Sequence, residues 1–273
     1  MTDGGGMAGG LRLYGRYLGI SIRSQMEYRA SFVMLSVGQF LVTIIEFASI
    51  VLLFDRFGGI RGWTLPEVGF FYGLINTAFA VTDAAARGFD VFGAMVKGGD
   101  FDRLLLRPRG TALQVAGTEL TLRRVGRLLQ GALVLAWSAS RLSVPWTAAR
   151  VLLLVAALAG AGCLFFGVLV LQATLAFWTT EPLEMFNTLS YGGVQTAQYP
   201  IPIYARWLQK FFTFVVPLAA VCYFPGIAII GKDDRLGTGR GFQYCAPVIG
   251  VAFLLVGLQV WKIGVRHYQS TGS

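Results

Sequence analysis

The chain has 273 residues, of which 55% are hydrophobic and only 14% are charged. A typical soluble domain carries about 25% charged residues, so this composition excludes an ordinary soluble globular protein and indicates a polytopic membrane protein. The formal net charge of +9 could attract nucleic acid, but the sequence contains no nucleic-acid recognition module. We therefore expect membrane lipids as partners, with the excess cations facing anionic headgroups, and no nucleic acid.

The N-terminal region divides into two parts. Residues 1–10 are rich in glycine and are predicted to be disordered, and we expect no removable signal peptide. In residues 11–30, helical periodicity places Arg12, Arg16 and Arg23 on one side and tyrosine, leucine and isoleucine on the other. This pattern predicts an amphipathic interfacial helix on the cytoplasmic membrane surface. Its arginines would contact either lipid headgroups or a partner protein.

Two apolar stretches follow, at residues 32–54 and 68–86. Each is long enough to cross a membrane, because about 20 helical residues span a hydrocarbon core of about 30 Å. The turn between them is short and rich in glycine, so the two helices are expected to be antiparallel neighbours. Gly69 and Gly73 are four residues apart, which predicts close packing of the second span against another helix.

The second half of the chain predicts further spans at residues 125–144, 151–178, 183–199 and 245–261. The stretch at 203–230 is divided by prolines, which interrupt helices, and is predicted as an outer re-entrant hairpin. The alternative is that 203–230 is the fifth span and 183–199 is a cytoplasmic or re-entrant piece. The predicted fold is an all-α domain of six transmembrane helices over 31–267, with a tail at 268–273 and both termini in the cytoplasm.

A basic segment separates the second and third spans. Residues 87–127 hold eight of the 23 Lys and Arg residues and four acids. Within it, Phe101–Leu106 can form a helical turn that Arg107 and Pro108 end. A ridge of Phe and Leu flanked by Asp and Arg predicts a contact surface for a cytosolic partner. The alternative is an interfacial helix that rests on lipid.

The sequence offers little material for catalysis or cofactor binding. His267 is the single histidine, and the three cysteines lack the spacing of a metal site. Residues 226–233 approach a Walker loop, but Asp233 stands where magnesium binding requires Ser or Thr. We therefore expect no catalytic residue, no metal and no cofactor bound by this chain.

Two carboxylates fall at membrane depth. Glu46 lies within the first span and Asp83 lies near the inner end of the second. A buried carboxylate in a membrane is costly and usually faces a bundle interior or a cavity. Both are candidate residues of a translocation pathway. Interhelical hydrogen bonding, or interfacial solvation for Asp83, would also explain them.

Several short motifs resemble one family over essentially the whole chain from Leu11 onward. The most specific are Gly99–Pro108 and the ending Tyr268–Ser273; residues 27–30, 62–64, 198–200 and 223–225 support them. They resemble the bacterial type-2 ABC transporter permeases, in the subfamily with two homologous permease subunits and a separate ATPase. Asp100 departs from the glutamate expected there.

The resemblance implies six transmembrane helices, an N-terminal interfacial helix, a cytoplasmic coupling helix within residues 87–124 and an outer re-entrant hairpin before span six. It also implies a multi-pass protein of the bacterial plasma membrane that exports a substrate when a partner ABC ATPase, which binds ATP and Mg, hydrolyses ATP. A second permease subunit, homologous or identical, would complete the complex. The residues expected to dock on the ATPase are Phe101, Asp102, Arg103, Leu104, Leu105, Arg107 and Pro108.

Two other classes of function remain alternatives at this stage. A membrane-embedded enzyme that modifies lipids would turn over without an ATPase, but the sequence shows no nucleophile, base and metal set. A passive channel or scaffold would conduct or assemble without nucleotide. Both are tested by the dependence of activity on an ATPase partner.

Overall fold

The computed structural model describes residues 14–15, 19–20, 23–27, 29–119, 124–179, 184–234 and 236–268, and for 184–190 the helix alone. These residues form helices and connecting turns, and no strand occurs among them beyond an isolated bridge between Ile60 and Trp63. The predicted disordered N-terminus, Arg12, Arg16 and residues 269–273 lie outside the described residues. The all-α class predicted from the sequence is therefore confirmed for the part that is described.

Apart from a short 3-10 helix at Ile201–Ile203, thirteen helices follow one another from residue 29 onward within the described ranges. Their bounds are α1 (Arg29–Phe57), α2 (Leu65–Ala85), α3 (Arg87–Asp90), α4 (Phe92–Lys97), α5 (Asp100–Leu105), α6 (Thr111–Thr118), α7 (Val125–Arg141), α8 (Ala148–Leu175), α9 (Glu184–Ala197), α10 (Arg206–Val215), α11 (Ala219–Ile230), α12 (Arg240–Cys245) and α13 (Val248–His267). The second half of α10 (Phe211–Val215) and the first part of α11 (Ala219–Tyr223) are π-helical.

Four of these helices are long and apolar enough to cross a membrane. They are α1, α2, α8 and α13, and the bent pair α10 and α11 would make a fifth crossing if it counts as one span. Helix α7 has 17 residues and α9 has 14. The structure thus contains a helix at each of the six predicted spans, and four of the six have the length and apolar composition of a crossing.

Helix α2 lies at the centre of the bundle, with most of its side chains buried. It packs against α7 and α8, while α13 packs against α8. The close packing predicted for Gly69 and Gly73 is confirmed, because a Cβ at Gly73 would lie only 2.5 Å from the Leu135 backbone nitrogen, and one at Gly69 only 2.4 Å from Ser138 Oγ. Small residues let the backbones of α2 and α7 touch.

Helices α10 and α11 meet at an 85° bend. Pro217 lies at the bend, where a proline cannot continue the helical hydrogen bonds. The start and the end of this bent pair lie against the same turn. Arg61 donates to the Ile203 carbonyl oxygen at 3.0 Å just before α10, and Lys232 donates to the Gly62 carbonyl oxygen at 2.7 Å just after α11.

Lys232 fastens the turn between α1 and α2 to the end of α11. Its Nζ lies 2.9 and 2.8 Å from the two carboxylate oxygens of Glu67 and 4.0 Å from the centre of the Trp63 ring. Glu67 also accepts from the Thr64 backbone N–H at 2.8 Å, which completes a capping box at the start of α2. One lysine therefore satisfies a carboxylate, a carbonyl and an aromatic face.

We expect Lys232→Gln to destabilise the protein by about 2 kcal/mol, because hydrogen bonds to a charged group contribute about 1.5–3 kcal/mol and the cation–π contact adds to them. Thermal denaturation of the detergent-solubilised protein measures this loss. Lys210→Gln is the matched control, since Lys210 is exposed at the end of the α-helical part of α10. Equal denaturation midpoints for the two variants would contradict the role of the clamp.

The helix at the last predicted span has different bounds from the span itself. The sequence predicted a crossing at about 245–261, and α13 begins at Val248 and continues to His267. Its start is displaced because Pro247 directly precedes the first turn, a position that proline tolerates well. Its end is displaced because Lys262, Arg266 and His267 remain helical, as cations near a helix C-terminus favour the helix dipole.

Candidate coupling and translocation site

The basic segment folds into four short helices, α3 to α6, rather than one long helix. Gly99 separates α4 from α5 and has a φ of +71°, a left-handed conformation that favours glycine. Gln114 on α6 is buried, and its amide donates to the carbonyl oxygens of Leu104 and Arg109 at 3.2 and 3.0 Å. These bonds satisfy carbonyls at and beyond the C-terminal end of α5 and fix α5 against α6.

An aromatic cluster holds α5 to the ends of the long helices. Phe101 is 0% exposed, and its ring centre lies 5.0 Å from those of Phe92 and Tyr268, 5.5 Å from that of Phe177 and 6.3 Å from that of Trp261. Three of these four ring pairs are edge-to-face, an arrangement that aromatic quadrupoles favour, and the pair with Phe177 is tilted. The side chain of Phe101 therefore joins α5 to α4, α13 and the turn after α8.

The C-terminal end of α13 reinforces this junction. Trp261 Nε1 donates to Thr111 Oγ1 at the start of α6 at a distance of 3.0 Å. The hydroxyl of Tyr268 faces the carboxylate of Asp102. Burial of the hydroxyl is the main cause that raises the pKa of Tyr268, and the negative charge of Asp102 raises it further.

The N-terminal segment also contacts this end of the bundle. The Tyr14 hydroxyl donates to the Ala85 carbonyl oxygen at 2.8 Å. Arg23, further along that segment, is helical and exposed.

The burial of α5 corrects the predicted docking surface. Phe101 and Leu104 were expected to contact a partner, but they are 0% and 7% exposed and pack within the chain. Their helical spacing places them on one face, which points into the bundle. The exposed residues of the predicted set are Arg103, Leu105, Arg107 and Pro108, and Asp102 is half-buried. Leu106, outside that set, is 87% exposed.

Asp83 belongs to a buried network of charges at the end of α2. Its Oδ2 lies 2.6 Å from Arg124 Nε, and its Oδ1 lies 3.9 Å from an Arg87 side-chain nitrogen. Arg87 in turn pairs closely with Asp90. Burial is the largest single influence on the pKa of the Arg87 guanidinium and lowers it, but Asp90, Tyr191, Asp83 and Glu119 together outweigh burial, so that the pKa is raised. The network thus runs from the start of the basic segment to the start of α7.

A second buried arginine lies one turn further along α7. Arg127 Nε donates to Asn76 Oδ1 on α2 at 3.0 Å, and its guanidinium lies 5.1 Å from the centre of the Phe79 ring. Sequence reasoning counted Arg124 and Arg127 among the cytosolic cations and missed both contacts. The available signal was their position at the start of an apolar stretch, where an arginine must find partners once the stretch enters the bundle.

Glu46 lies on the wall of a cavity of about 700 Å³ between α1 and the end of α9. The lining is partly polar and comes from both sides: Glu46, Ser49, Ile50 and Leu53 on α1, and Gly192, Gln195, Thr196, Gln198, Tyr199 and Tyr204 on or after α9. Asp83 is not among these residues and lies in the charge network at the end of α2, so the two candidate carboxylates occupy different parts of the bundle. The assignment of either carboxylate to a translocation pathway stays a prediction.

No cluster of potential metal ligands occurs among the described residues.

The site has three parts: an aromatic junction under a basic surface, a buried charge network, and a polar cavity between two helices. None of the parts presents a nucleophile aligned with a general base. The charged and aromatic contacts of the site connect elements that are distant in sequence.

Comparison with known proteins identifies a family. The model of a family described as ABC-2 family transporter protein matches residues 40–272, which run from the fourth turn of α1 through the end of α13. No curated protein and no solved structure matches the chain. The chain belongs to the ABC-2 family of transporter proteins and is the membrane-spanning permease component of an ABC transporter.

Proposed function

We propose that this permease is one half of an ATP-driven exporter and that the basic surface of its α3–α6 segment receives the ATPase. The supporting observation is the aromatic junction, which fixes α5 firmly to the bundle while leaving a charged surface outside. We define this basic face by its exposed residues: Lys97, Arg103, Leu105, Leu106, Arg107, Pro108 and Arg109. Its cations and two leucines suit a groove with acidic and apolar side chains.

The proposal places the basic face in the cytoplasm of a bacterial cell, because the ATPase partner uses cytosolic ATP and Mg. Helix α1 begins and α13 ends at this end of the bundle, so both termini are cytoplasmic. In this arrangement α1, α2, α7, α8, α9 and α13 are the six crossings. The bent pair α10 and α11 is the outer re-entrant hairpin, since both its ends lie against the turn that joins α1 and α2.

A second permease subunit would complete the translocation pathway. Helix α1 buries only Thr43, Ile50 and Phe54 among the residues of its 29-residue length. The Glu46 cavity lies beside this uncovered helix and is open on one side. Pairing two such subunits, identical or homologous, would enclose the cavities of both between them.

The proposal is tested by purifying the tagged chain, with the ABC ATPase that it retains, from membranes in mild detergent. We expect the complex to hydrolyse ATP. We expect the double variant Arg103→Glu and Leu106→Glu to lower the yield of bound ATPase at least about tenfold. The reason is that reversing one charge and inserting another in a docked surface each cost on the order of 1 kcal/mol or more.

The matched control reverses an exposed arginine at the opposite end of the bundle. Arg141→Glu changes the last residue of α7 and should leave the bound ATPase unchanged. Equal yields for wild type and the docking variant would reject the basic face as the contact. Uptake of substrate into inside-out vesicles that requires ATP supports export, whereas flux without the ATPase would favour a passive channel.

A further inference from the structure

One guanidinium group, that of Arg124, joins three helices. Its Nε contacts Asp83 on α2 at 2.6 Å, its Nη1 donates to Gln39 Oε1 on α1 at 3.4 Å, and its Nη2 donates to the Tyr191 hydroxyl on α9 at 3.4 Å. The arginine side chain is only 13% exposed. A guanidinium is planar and carries five donors in a fixed arrangement, so one side chain can hold three partners at once.

The three-way contact lies between the Glu46 cavity and the basic face. Gln39 precedes Glu46 on α1 by about 10 Å of helix, and Tyr191 precedes Gln195 on α9 by about 6 Å. Both therefore lie on the basic-face side of the cavity. Arg124 therefore connects the two walls of the cavity on the basic-face side of its lining.

The same arginine is connected to the basic segment through Asp83. Arg87, the first residue of α3, lies 3.9 Å from the Asp83 carboxylate and pairs with Asp90. Helix α3 is in backbone contact with α6, since a Cβ at Gly88 would lie 1.8 Å from the Val115 carbonyl oxygen. A displacement of the segment therefore moves Arg87 relative to Asp83.

Asp83 has two cations within reach, and this makes an exchange of partners possible. Removing one partner from a buried ion pair is costly, because the remaining charge is left without compensation. If Arg87 moves closer as Arg124 leaves, the carboxylate remains paired and the barrier to separating Arg124 falls. Such a choice between two discrete arrangements is what allows a small displacement to switch a packed bundle.

We infer that Arg124 is a positioning residue that latches α1 to α9 beneath the Glu46 cavity, and that the basic segment releases this latch through Asp83. The inference rests on the proposed function for the source of the movement. The latch itself rests on the contacts of Arg124 alone. Release would open the cavity toward the side on which the ATPase binds.

The latch is tested by cysteine labelling of the cavity. In a chain with Cys163→Ala, Cys222→Ala and Cys245→Ala, Gln195→Cys places a thiol on the cavity wall. A charged, membrane-impermeant maleimide is added to inside-out vesicles, which present the basic face, and to right-side-out vesicles. We expect slow labelling from the basic-face side in the otherwise unchanged chain and faster labelling from the opposite side.

Tyr191→Phe is the decisive variant. It removes one hydrogen bond of the latch but leaves the Asp83–Arg124 pair and the ring contact with Phe79, whose centre lies 5.4 Å away. We expect labelling from the basic-face side to become about tenfold faster, which corresponds to about 1.4 kcal/mol. Arg124→Gln should accelerate it further. A charge pair with a merely structural role would leave the Tyr191→Phe rate unchanged, and that result would overturn the inference.

Control variants, and labelling measured with and without ATP and the ATPase, distinguish the latch from the proposed function. Tyr244→Phe and Arg141→Gln, both exposed positions at the other end of the bundle, should label as the parent does. If ATP and the ATPase accelerate labelling while Tyr191→Phe does not, the latch is wrong and the function stands. If Tyr191→Phe accelerates labelling and ATP does not, the latch stands and the ATP-driven function fails. Absence of labelling from either side in every variant contradicts a water-filled cavity and overturns the inference.

Discussion

Replacing Phe101 with alanine is expected to detach α5 from the bundle and to expose the basic segment to proteolysis. Truncating a fully buried Phe costs about 3–5 kcal/mol, and Phe101 contacts rings from α4, α13 and the turn after α8. If this loss falls on the local opening of the segment, trypsin should cleave after Arg103 and Arg109 about 100-fold faster, because cleavage follows the population of the opened state.

Leu106→Ala is the matched control for this prediction. Leu106 lies five residues after Phe101, directly after α5, and is 87% exposed, so its truncation should leave the cleavage rate unchanged. The same variant should still weaken ATPase binding if Leu106 belongs to the docking surface. Similar proteolysis of the two variants would show that Phe101 does not anchor α5.

The long helices could be predicted from the sequence because each carries its own signal. Continuous apolar runs predicted α1, α2, α7 and α8 to within a few residues, and local residues explain their ends. Thr64 and Glu67 form the capping box of α2, and the Thr147 hydroxyl accepts from the Arg150 backbone N–H at the start of α8. Interactions of this kind depend on neighbouring residues, so they are visible in the sequence.

The inward direction of α5 could not be predicted in the same way. The spacing of Phe101 and Leu104 shows that they share a helix face, but an apolar face can turn toward a partner or toward the chain itself. The choice depends on Phe177, Trp261 and Tyr268, which lie far along the sequence. From the local sequence alone, a helix that presents Phe101 and Leu104 to a partner and a helix that buries them within the chain have the same pattern.

The charge network shows a second limit of sequence reasoning. Asp83 was predicted as a pathway carboxylate because a charge at membrane depth needs a reason. Its partner Arg124 directly precedes α7 and was only counted among the cations of the basic segment. A single sequence shows that each charge needs a partner, but it does not show which pairs form, since that depends on how α2 meets the start of α7.

Gly73→Val is expected to separate α2 from α7 and to lower the thermal stability of the protein strongly. A Cβ at Gly73 would lie 2.5 Å from the Leu135 backbone nitrogen and 2.6 Å from its Cα. A flexible side chain could rotate away from the new methyl groups, but a backbone cannot, so the two helices must move apart. Overpacking a core costs about 1–3 kcal/mol and occasionally more, and we expect about 3 kcal/mol or more here, measured by denaturation of the solubilised protein.

Gly38 provides the comparison that isolates the helix contact from the helix propensity. It lies in the interior of α1, and no atom comes within 4 Å of a Cβ placed on it. Alanine is favoured over glycine in a helix by about 0.5–1 kcal/mol, so Gly38→Ala should leave stability unchanged or raise it slightly. Gly73→Ala should lower it, because the same gain in propensity is outweighed by the clash with Leu135. Stability changes of the same sign at both positions would mean that α2 and α7 are not in backbone contact, and the bundle that positions Arg124 and Arg127 against α2 would then have to be different.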